Sequence, residues 1–240
     1  MYKGLYEITE NVPVARAVYR MRLLGNTAAL TTPGQFVNIE LPTFYLRRPF
    51  SVADWDDDGM TLLYKVIGEG TAAMARMTAG ETLDLLVGLG NGFDITKGDN
   101  PLLIGGGMGT PPLLALAKAL MARGAVPRVA LGFAAQEDVV LADAFKGMGL
   151  AVRVALMSEG RMVTDLLPEW IPLCDHYYTC GPEAMLRAVY RACPFGGQLS
   201  FETRMACGFG ACMGCTCKTL TGGKRICMDG PVFFGEEIIW

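Results

Sequence analysis

A chain of 240 residues, 51% of them hydrophobic, is long enough to bury one large core or two modest ones, with a small third unit beside them. Its 21 basic and 24 acidic residues give a net charge of -3 without a long run of either sign, which argues against nucleic acid or an anionic membrane as a partner. Residues 1–10 lack a signal-peptide core and no apolar run is long enough to span a membrane, so we expect a cytoplasmic protein.

The first stretch of the chain, residues 1–98, contains short β-rich runs separated by glycine and turn residues. This pattern predicts an antiparallel β-barrel or a sandwich. The predicted strands are 15–24, 35–41, 60–66 and 82–87.

The second stretch, residues 99–197, alternates apolar runs with helical segments, as βαβ units around a parallel sheet do. It is therefore expected to be a Rossmann-like α/β nucleotide-binding domain. The predicted strands are 102–104, 128–133, 151–156 and 176–180, and the predicted helices are 112–123, 139–147, 162–167 and 183–192.

The third stretch, residues 198–240, is rich in cysteine and glycine and is too small to carry a core of its own. We expect a cofactor to hold this small domain together. The predicted fold class is thus α+β with three domains.

Four cysteines in this third stretch form the most specific motif. Cys207, Cys212 and Cys215 have the spacing CxxxxCxxC, and Cys227 follows twelve residues after the third. This is the arrangement of plant-type [2Fe-2S] proteins. We expect glycines in the loop to adopt positive φ and to bring backbone N–H groups close to the sulfur atoms. These glycines are Gly208, Gly210 and Gly214.

Two alternatives remain for the cysteine motif. One is a four-cysteine zinc site, although zinc sites typically use paired CxxC elements and this stretch has one. The other concerns Cys217, which is either a competing ligand or a spare thiol packed in the core. We favour the spare thiol because a CxC pair fits one edge of a cluster less well. The cysteines outside this stretch are interpreted as buried thiols. They are Cys174, Cys180 and Cys193.

Two turns are expected at the carboxyl edge of the parallel sheet. The first follows an apolar strand and opens a helix, so that its N–H groups and the positive helix end suit a pyrophosphate. It lacks the GxGxxG spacing, so the alternative is a turn that only permits close packing. The second turn also joins a strand to a helix, and the two would form a crevice for a ligand. The residues are Gly105, Gly106, Gly107, Gly109 and Thr110 in the first, and Cys180, Gly181, Pro182 and Glu183 in the second.

The order of four motifs resembles the ferredoxin-NADP reductase superfamily across the first four fifths of the chain. These motifs are Arg47-Arg48-Pro49-Phe50-Ser51-Val52, Tyr64-Lys65-Val66-Ile67-Gly68-Glu69-Gly70-Thr71, the glycine-rich turn and Cys180-Gly181-Pro182-Glu183-Ala184-Met185. With the cysteine motif and Asp229-Gly230-Pro231-Val232-Phe233, the whole chain resembles the electron-transfer subunits of class B dihydroorotate dehydrogenases.

The resemblance implies a function as well as a fold. Such subunits pass electrons from NADH through FAD and a [2Fe-2S] cluster to a separate FMN-bearing catalytic subunit that makes orotate in pyrimidine biosynthesis. It also implies an assembly with two of each chain. The barrel would then bind FAD, the α/β domain NAD and the third domain the cluster.

The resemblance also assigns roles to residues of the barrel. Arg48 would pair with the FAD pyrophosphate, and the Ser51 hydroxyl would lie near flavin N5 as the catalytic position. Phe50 would stack against the flavin, where many superfamily members have tyrosine, and Pro49 belongs to the same cofactor-binding motif. The second flavin motif would contact the ribityl and phosphate groups. Its residues are Lys65, Val66, Ile67, Gly70 and Thr71. Without the resemblance, the two motifs would indicate only a strand end and a tight turn.

Acidic residues after the second α/β strand favour NADH over NADPH, because a 2'-phosphate would require arginine there. They lie in Ala134-Ala135-Gln136-Glu137-Asp138. Hydride transfer needs no general base, and the single histidine, His176, is interpreted as a strand residue. The alternatives are a flavin and iron-sulfur subunit serving another dehydrogenase, hydrogenase or oxygenase, a zinc-bearing interaction module, and a redox sensor with a reactive thiol.

Overall fold

The amino-terminal part of the chain forms a closed antiparallel β-barrel. Its elements are β1 (Tyr2–Ala15), β2 (Val18–Leu24), β3 (Phe36–Glu40), β4 (Arg48–Trp55), β5 (Gly59–Lys65), α1 (Glu69–Met74) and β6 (Thr82–Leu89). In the computed structural model, which describes residues 1–240, the strands follow one another around the barrel in the order β1-β2-β5-β4-β3-β6.

Alternation of buried and exposed side chains explains why these strands close around one core. In β6, Leu83, Leu85, Val87 and Leu89 are buried, whereas the residues between them are not. One face of the strand therefore points into the barrel and the other away from it. The predicted barrel is confirmed, and the structure adds β1 and β4, which the pattern of β-rich runs did not predict.

The rest of the chain forms a six-stranded sheet, its helices and a short hairpin. The elements are β7 (Pro101–Gly106), α2 (Pro112–Ala122), β8 (Arg128–Phe133), α3 (Ala142–Gly147), β9 (Ala151–Leu156), α4 (Leu167–Trp170), β10 (His176–Cys180), α5 (Glu183–Ala192), β11 (Gly197–Ser200), β12 (Thr216–Thr219), β13 (Gly222–Arg225) and β14 (Val232–Phe234). The strand order in the sheet is β14-β11-β10-β7-β8-β9. All neighbours are parallel except β14, which is antiparallel to β11, so the predicted parallel α/β sheet is confirmed.

The cysteine-rich tail is joined to this sheet. β14 adds an edge strand, while β12 and β13 form a separate two-stranded sheet. Ile226 and Phe233 of the tail pack in the same core as Leu102 and Leu199 of the parallel sheet. The division into residues 1–98, 99–197 and 198–240 stays a prediction, and β11 spans the second of these boundaries.

Two predicted helices differ from the structure. α3 begins at Ala142 rather than at residue 139, because Val139 is extended and Leu141 adopts a φ of +62°. The segment 162–167 is a 3-10 turn over Val163–Leu166 that leads into α4. Because Pro168 has no N–H to donate to the preceding turn, a regular helix does not extend through this segment. None of the helices combines the length and apolar character that crossing a membrane requires.

Packing and polar contacts connect the barrel, the sheet and the tail. Helix α2 packs on β4, and Lys118 pairs with Asp54 across this contact. Between the barrel and the tail, the side chain of Asn91, two residues after β6, donates to the Val232 carbonyl at 2.7 Å and accepts from the Val232 N–H at 3.1 Å. These contacts fix the edge of the cysteine-rich tail against the barrel.

Candidate functional site

A cavity of about 490 Å³ opens where the barrel, the sheet and the tail meet. Strands β4 and β5 form its barrel wall, the turn after β7 forms a second wall, and the segment after β11 forms a third. The lining residues are Phe36, Pro49, Phe50, Ser51, Leu63, Tyr64, Lys65, Ile67, Thr71, Met108, Pro111, Ser200, Phe201, Glu202, Thr203, Arg204, Met205 and Pro231. Residues from all three stretches of the sequence therefore surround one space.

The first predicted flavin motif lies at the start of β4, between this cavity and a second one of about 490 Å³. Pro49 and Phe50 line both cavities, Ser51 lines the first, and Arg48 lines the second. The Phe50 ring meets the Tyr64 ring edge-on, with 5.9 Å between their centroids. The structure thus brings all four residues together along one elongated space.

Arg48 and Gly70 form one wall of the second cavity. The guanidinium of Arg48 lies 5.1 Å from the centroid of the Phe44 ring and donates to the Leu46 carbonyl. A Cβ atom at Gly70 would lie 2.9 Å from the Arg48 Nε atom, so glycine leaves room for the guanidinium. A planar cation with several donors suits a pyrophosphate, and the two adjoining cavities suit an elongated dinucleotide. The residues present therefore fit FAD.

The loop before α1 supplies more of the cavity wall. Ile67 and Thr71 line both cavities, and the Thr71 hydroxyl accepts from the N–H groups of Ile67 and Gly68 at 3.0 and 3.2 Å. The Thr71 hydroxyl is thus used within its own loop. It fixes the loop shape that presents the backbone to the cavity.

Two residues of the same motif have other partners. The Lys65 side chain lines the first cavity, but its Nζ atom lies 3.1 Å from Oδ1 of Asp138, across the contact with the sheet. The Val66 N–H donates to the Ala17 carbonyl at 2.7 Å, and its side chain packs on the barrel core. The structure does not bring Val66 to either cavity.

The acidic residues expected to select NADH are already paired. Arg16 donates from Nη1 to Glu137 at 2.8 Å and from Nη2 to Asp138 at 2.6 Å. Lys65 adds a second cation to Asp138. The carboxyl edge after β8 therefore contains two cations as well as two carboxylates, which the sequence alone did not indicate.

The two turns predicted to share a sheet edge do meet there. β7 and β10 are parallel neighbours, with Gly105 opposite Cys180. A Cβ atom at Gly109 would overlap the Cys180 carbonyl, and one at Gly106 would lie 3.2 Å from Cδ of Pro182. The glycines at these two positions are required by close packing between the turns.

At this edge Gly107 and Glu183 are accessible, whereas Thr110 and Gly181 are buried. Gly107, with a φ of +52°, has no atom within 4 Å of a built Cβ position, and Glu183 is exposed. The Thr110 side chain is fully buried, and its hydroxyl has no hydrogen-bond partner. Gly181 lies in the second turn beside Gly106. The Cys180 thiol, in contrast, is buried in the core, and burial raises its pKa.

The four cysteines of the predicted cluster motif are arranged as two pairs. The Cys212 N–H donates to Sγ of Cys207, and the Cys227 N–H donates to Sγ of Cys215, each at 3.4 Å. No three cysteine, histidine or acidic side chains converge on one point. A [2Fe-2S] core binds two thiolates on each iron, whereas a zinc ion needs four ligands around one point. The pairs therefore fit the two-iron core.

The backbone of the cysteine loop turns towards the sulfur atoms. Gly208 and Gly210 have φ values of +77° and +93°, as predicted. The prediction for Gly214 is wrong, because the neighbouring Met213 adopts the positive φ, at +60°. Gly214 instead donates its N–H to Sγ of Cys212 at 3.5 Å. Backbone donors thus reach two of the loop sulfurs.

The two pairs have different electrostatic environments. Burial alone would raise the pKa of Cys207, but N–H donors of the loop outweigh it and lower this pKa to about 6. The donors come from Phe209, Ala211 and Cys212. Burial raises the pKa of Cys227 to about 12, and the neighbouring Cys215 thiol adds to this effect.

Cys217 occupies the structural position of a packed thiol. It lies on β12 opposite Lys224 and packs against the same core as Phe233. Burial raises its pKa. Its contacts support the interpretation of a spare thiol rather than a ligand.

One whole wall of the first cavity was not predictable from a sequence motif. The segment 200–205 carries no motif, yet its six residues line the cavity and lead directly to the first cluster cysteine. The signal that could have revealed it is this adjacency: a loop that places a cluster near a flavin must also pass the flavin.

The chain is similar to known proteins over nearly its whole length. Residues 202–239 match the family model of the iron-sulfur cluster binding domain of dihydroorotate dehydrogenase B. A dihydroorotate dehydrogenase B (NAD+) electron transfer subunit from Fusobacterium nucleatum is 38% identical, with 96% of each chain covered. The subunit of the same name from Caldanaerobacter subterraneus is 41% identical, with 100% of this chain and 99% of that one covered.

Solved structures show the same architecture. An NADH-dependent reduced ferredoxin-NADP oxidoreductase, described for flavin-based electron bifurcation, has a TM-score of 0.89 and 29% identity, over 99% of this chain and 90% of that one. Phthalate dioxygenase reductase shares the fold at a TM-score of 0.67 and 17% identity, over 79% of this chain and 64% of that one. Because the chain is 38% and 41% identical to these two subunits over nearly its whole length, it belongs to the family of dihydroorotate dehydrogenase B (NAD+) electron transfer subunits.

Proposed function

We propose that the chain carries electrons between NADH and a catalytic subunit of dihydroorotate dehydrogenase, through FAD in the cavity and a [2Fe-2S] cluster on the cysteine loop. One observation carries this proposal: residues 200–205 line the cavity, and Cys207 follows two residues later. The site for a flavin and the site for a cluster are therefore continuous. When bound, FAD and the cluster supply the exchange between a two-electron hydride and single electrons.

The barrel residues would bind and orient the FAD. Arg48 would hold the pyrophosphate with its planar donors, and Gly70 keeps the space beside that guanidinium open. Phe50 and Ser51 would face the isoalloxazine, with the serine hydroxyl as the hydrogen-bonding group beside the reacting ring. Phe50 provides an apolar face there and no phenol hydrogen bond.

The sheet edge would bind the nicotinamide nucleotide. Gly107 presents its backbone to open space. Gly181, Pro182 and Glu183 border the same edge. Because hydride transfer needs no general base, these residues would act by positioning and by excluding water.

The cysteine pairs would hold the cluster. The loop presents Cys207 and Cys212 as one pair, and Cys215 with Cys227 as the other. N–H donors to sulfur stabilise the more negative, reduced state of such a core. The loop would therefore both hold the irons and tune their potential.

The face around the cysteines would dock the catalytic subunit. Phe209, Met213 and Met228 are 43%, 55% and 55% exposed beside the cysteine loop. Clustered apolar side chains at a surface often mark a protein contact. The proposed partner is the FMN-bearing catalytic subunit, in a cytoplasmic assembly with two of each chain.

The direction of electron flow depends on the partner reaction. Conversion of dihydroorotate to orotate removes two electrons and two protons from the substrate. In that reaction, electrons would enter this chain at the cysteine loop and leave to NAD+ at the flavin cavity, which is the reverse of the direction expected from the resemblance. Reduction of the chain by NADH uses the same path in the opposite direction.

The experiment is copurification of the tagged chain with its native partners, followed by assays of the complex. We expect flavin, iron and sulfide in the purified chain, and NAD+ reduction coupled to orotate formation in the complex. Copurification of a different dehydrogenase without orotate coupling would favour a reductase subunit for another enzyme. A colourless zinc-containing protein would overturn the proposal.

A further inference from the structure

The two faces of strand β3 contact different parts of the molecule. Val37 and Ile39 point into the barrel core. Phe36, on the opposite face, lines the first cavity, and Asn38 follows on that same face. Alternate residues of a strand lie about 7 Å apart. Asn38 is therefore one step along the strand from the cavity wall, and its ladder partner, Pro49, also lines the cavity.

The Asn38 side chain contacts the cysteine loop directly. It is 1% exposed, and its Nδ2 atom donates to the Cys207 carbonyl at 3.0 Å. A Cβ atom at Gly208 would overlap this Nδ2 atom, so the loop backbone lies against the carboxamide. The barrel strand that borders the flavin cavity therefore also holds the first cysteine of the loop.

The buried carboxamide of Asn38 has only one of its two polar atoms hydrogen-bonded. Its second polar atom, Oδ1, has no hydrogen-bond partner. Buried polar atoms without partners are rare because they lose their hydration. An apolar residue would fill the space without this loss but could not bind the Cys207 carbonyl. The donor function towards the loop explains why a carboxamide occupies the position.

A second asparagine, Asn91, contacts a different part of the cysteine-rich tail from Asn38. Asn91 binds the backbone of Val232 and Asp229, beyond Cys227, and both its side-chain polar atoms have partners. Asn91 thus fixes the end of the tail, whereas Asn38 contacts the loop that begins with Cys207. Loss of Asn38 would remove its contact with the start of the loop and leave the contacts of Asn91 with the tail in place.

We propose that Asn38 is a positioning residue for electron transfer, which holds the cysteine loop at a fixed separation from the flavin cavity. The proposal rests on the proposed function, because the separation matters only if both cofactors bind. Outer-shell groups of this kind orient the ligands of a metal site and change its properties when removed.

The test uses the whole chain with its cofactors and compares three variants. Asn38→Leu keeps the size of the side chain and removes the donor, and Asn38→Asp also adds a negative charge. The control is Gln198→Leu, which removes another carboxamide that is 1% exposed and binds the backbone of Asp94 at 2.8 and 3.0 Å. Flavin, iron and sulfide contents are measured first. Rapid mixing with NADH gives the rates of flavin and cluster reduction, and a redox titration followed by electron paramagnetic resonance gives the spectrum and the potential of the cluster.

In Asn38→Leu we expect flavin content and flavin reduction to match the wild type, while cluster retention or the rate of cluster reduction falls about tenfold or more. The resonance spectrum should change, and Asn38→Asp should lower the cluster potential because added negative charge opposes reduction. Gln198→Leu should change neither the spectrum nor the ratio of the two reduction rates.

Two results would overturn the role of Asn38. One is cluster reduction and a resonance spectrum identical to those of the wild type. The other is parallel loss of flavin and cluster, which indicates support of the overall fold alone. Wild-type protein without flavin or cluster would instead overturn the proposed function, before any variant is compared.

Discussion

Arg16 and Asp138 form a two-point ion pair between the barrel and the α/β sheet. The Nε and Nη2 atoms of Arg16 donate to the two carboxylate oxygens at 3.2 and 2.6 Å. Lys65 approaches the same carboxylate, which is 6% exposed. Burial alone would raise the pKa of Asp138, but hydrogen bonds from Lys65 and Arg16 outweigh it and hold the pKa below its ordinary value. The link depends on an ionised carboxylate.

Replacing Asp138 with asparagine should destabilise the protein in a pH-dependent way. We expect Asp138→Asn to lower the free energy of unfolding at pH 7 by about 1–2 kcal/mol, since both cations are partly exposed. A carboxylate whose pKa is depressed by folding contributes fully above its unfolded pKa, and this contribution is lost as the pH falls through the folded pKa. The difference between wild type and variant should therefore persist down to about pH 4 and shrink below it. Urea unfolding from pH 7 to pH 3 measures this.

The control for that experiment is Asp143→Asn, because Asp143 pairs with Lys146 on the exposed surface. This variant should unfold like the wild type at every pH. A loss of stability in Asp138→Asn that is equally large at pH 3 and pH 7 would contradict the ionic origin of the link.

The same carboxylate should affect nucleotide preference. Asp138→Asn leaves Arg16 and Lys65 without their shared anion at the carboxyl edge after β8, where a 2'-phosphate binds in related sheets. We expect the ratio of kcat/KM for NADPH to that for NADH to rise about tenfold, as for one new charge-assisted hydrogen bond. The matched control is Asp54→Asn, which breaks a different pair between barrel and sheet. Equal loss of activity with both nucleotides would indicate that the ribose lies elsewhere.

Local motifs explain what could be predicted from the sequence. The cysteine spacing indicates a cluster because three ligands lie on one short loop, and the positive φ of Gly208 and Gly210 follows from the same local geometry. Four parallel strands, β7 to β10, were predictable from short runs of mostly apolar or aromatic residues, whereas the parallel strand β11 has no such run and was missed. β1 was missed because its exposed and buried residues do not form such a run.

Long-range contacts explain what could not be predicted. Asp138 is separated by 73 residues from Lys65 and by 122 from Arg16, so no local pattern reveals that the carboxylate is paired. Asn38 is separated by 169 residues from Cys207. These contacts depend on how the barrel, the sheet and the tail pack together.

Replacing Gly70 with alanine should weaken FAD binding without lowering the stability of the unloaded protein. In Gly70→Ala the new Cβ would lie 2.9 Å from Nε of Arg48 and displace the guanidinium. We expect FAD to bind about 10–100-fold more weakly, as for loss of one hydrogen bond to a charged group. Alanine is favoured over glycine within a helix by up to about 1 kcal/mol, so the unloaded protein should not be less stable. Flavin fluorescence titration and urea unfolding test the two parts.

Gly147→Ala is the control for that variant, since Gly147 ends α3 and a Cβ atom there would contact nothing. It should bind FAD as the wild type does. Unchanged FAD affinity in Gly70→Ala would remove the support for Arg48 as the pyrophosphate ligand.

Serine substitutions at Cys212 and Cys217 should distinguish a ligand of the cluster from a spare thiol. Cys212 is exposed and accepts the Gly214 N–H at its sulfur, whereas Cys217, on the hairpin strand β12, is partly buried and packs against the core. Because the cluster needs four thiolates, Cys212→Ser should lose most of its iron and sulfide and the visible absorbance of the cluster, while flavin binding persists. Cys217→Ser should retain all three, with a modest loss of stability from placing a hydroxyl in an apolar core. Iron and sulfide analysis with absorption spectra measures both variants, and cluster loss in Cys217→Ser with retention in Cys212→Ser would reassign the ligand.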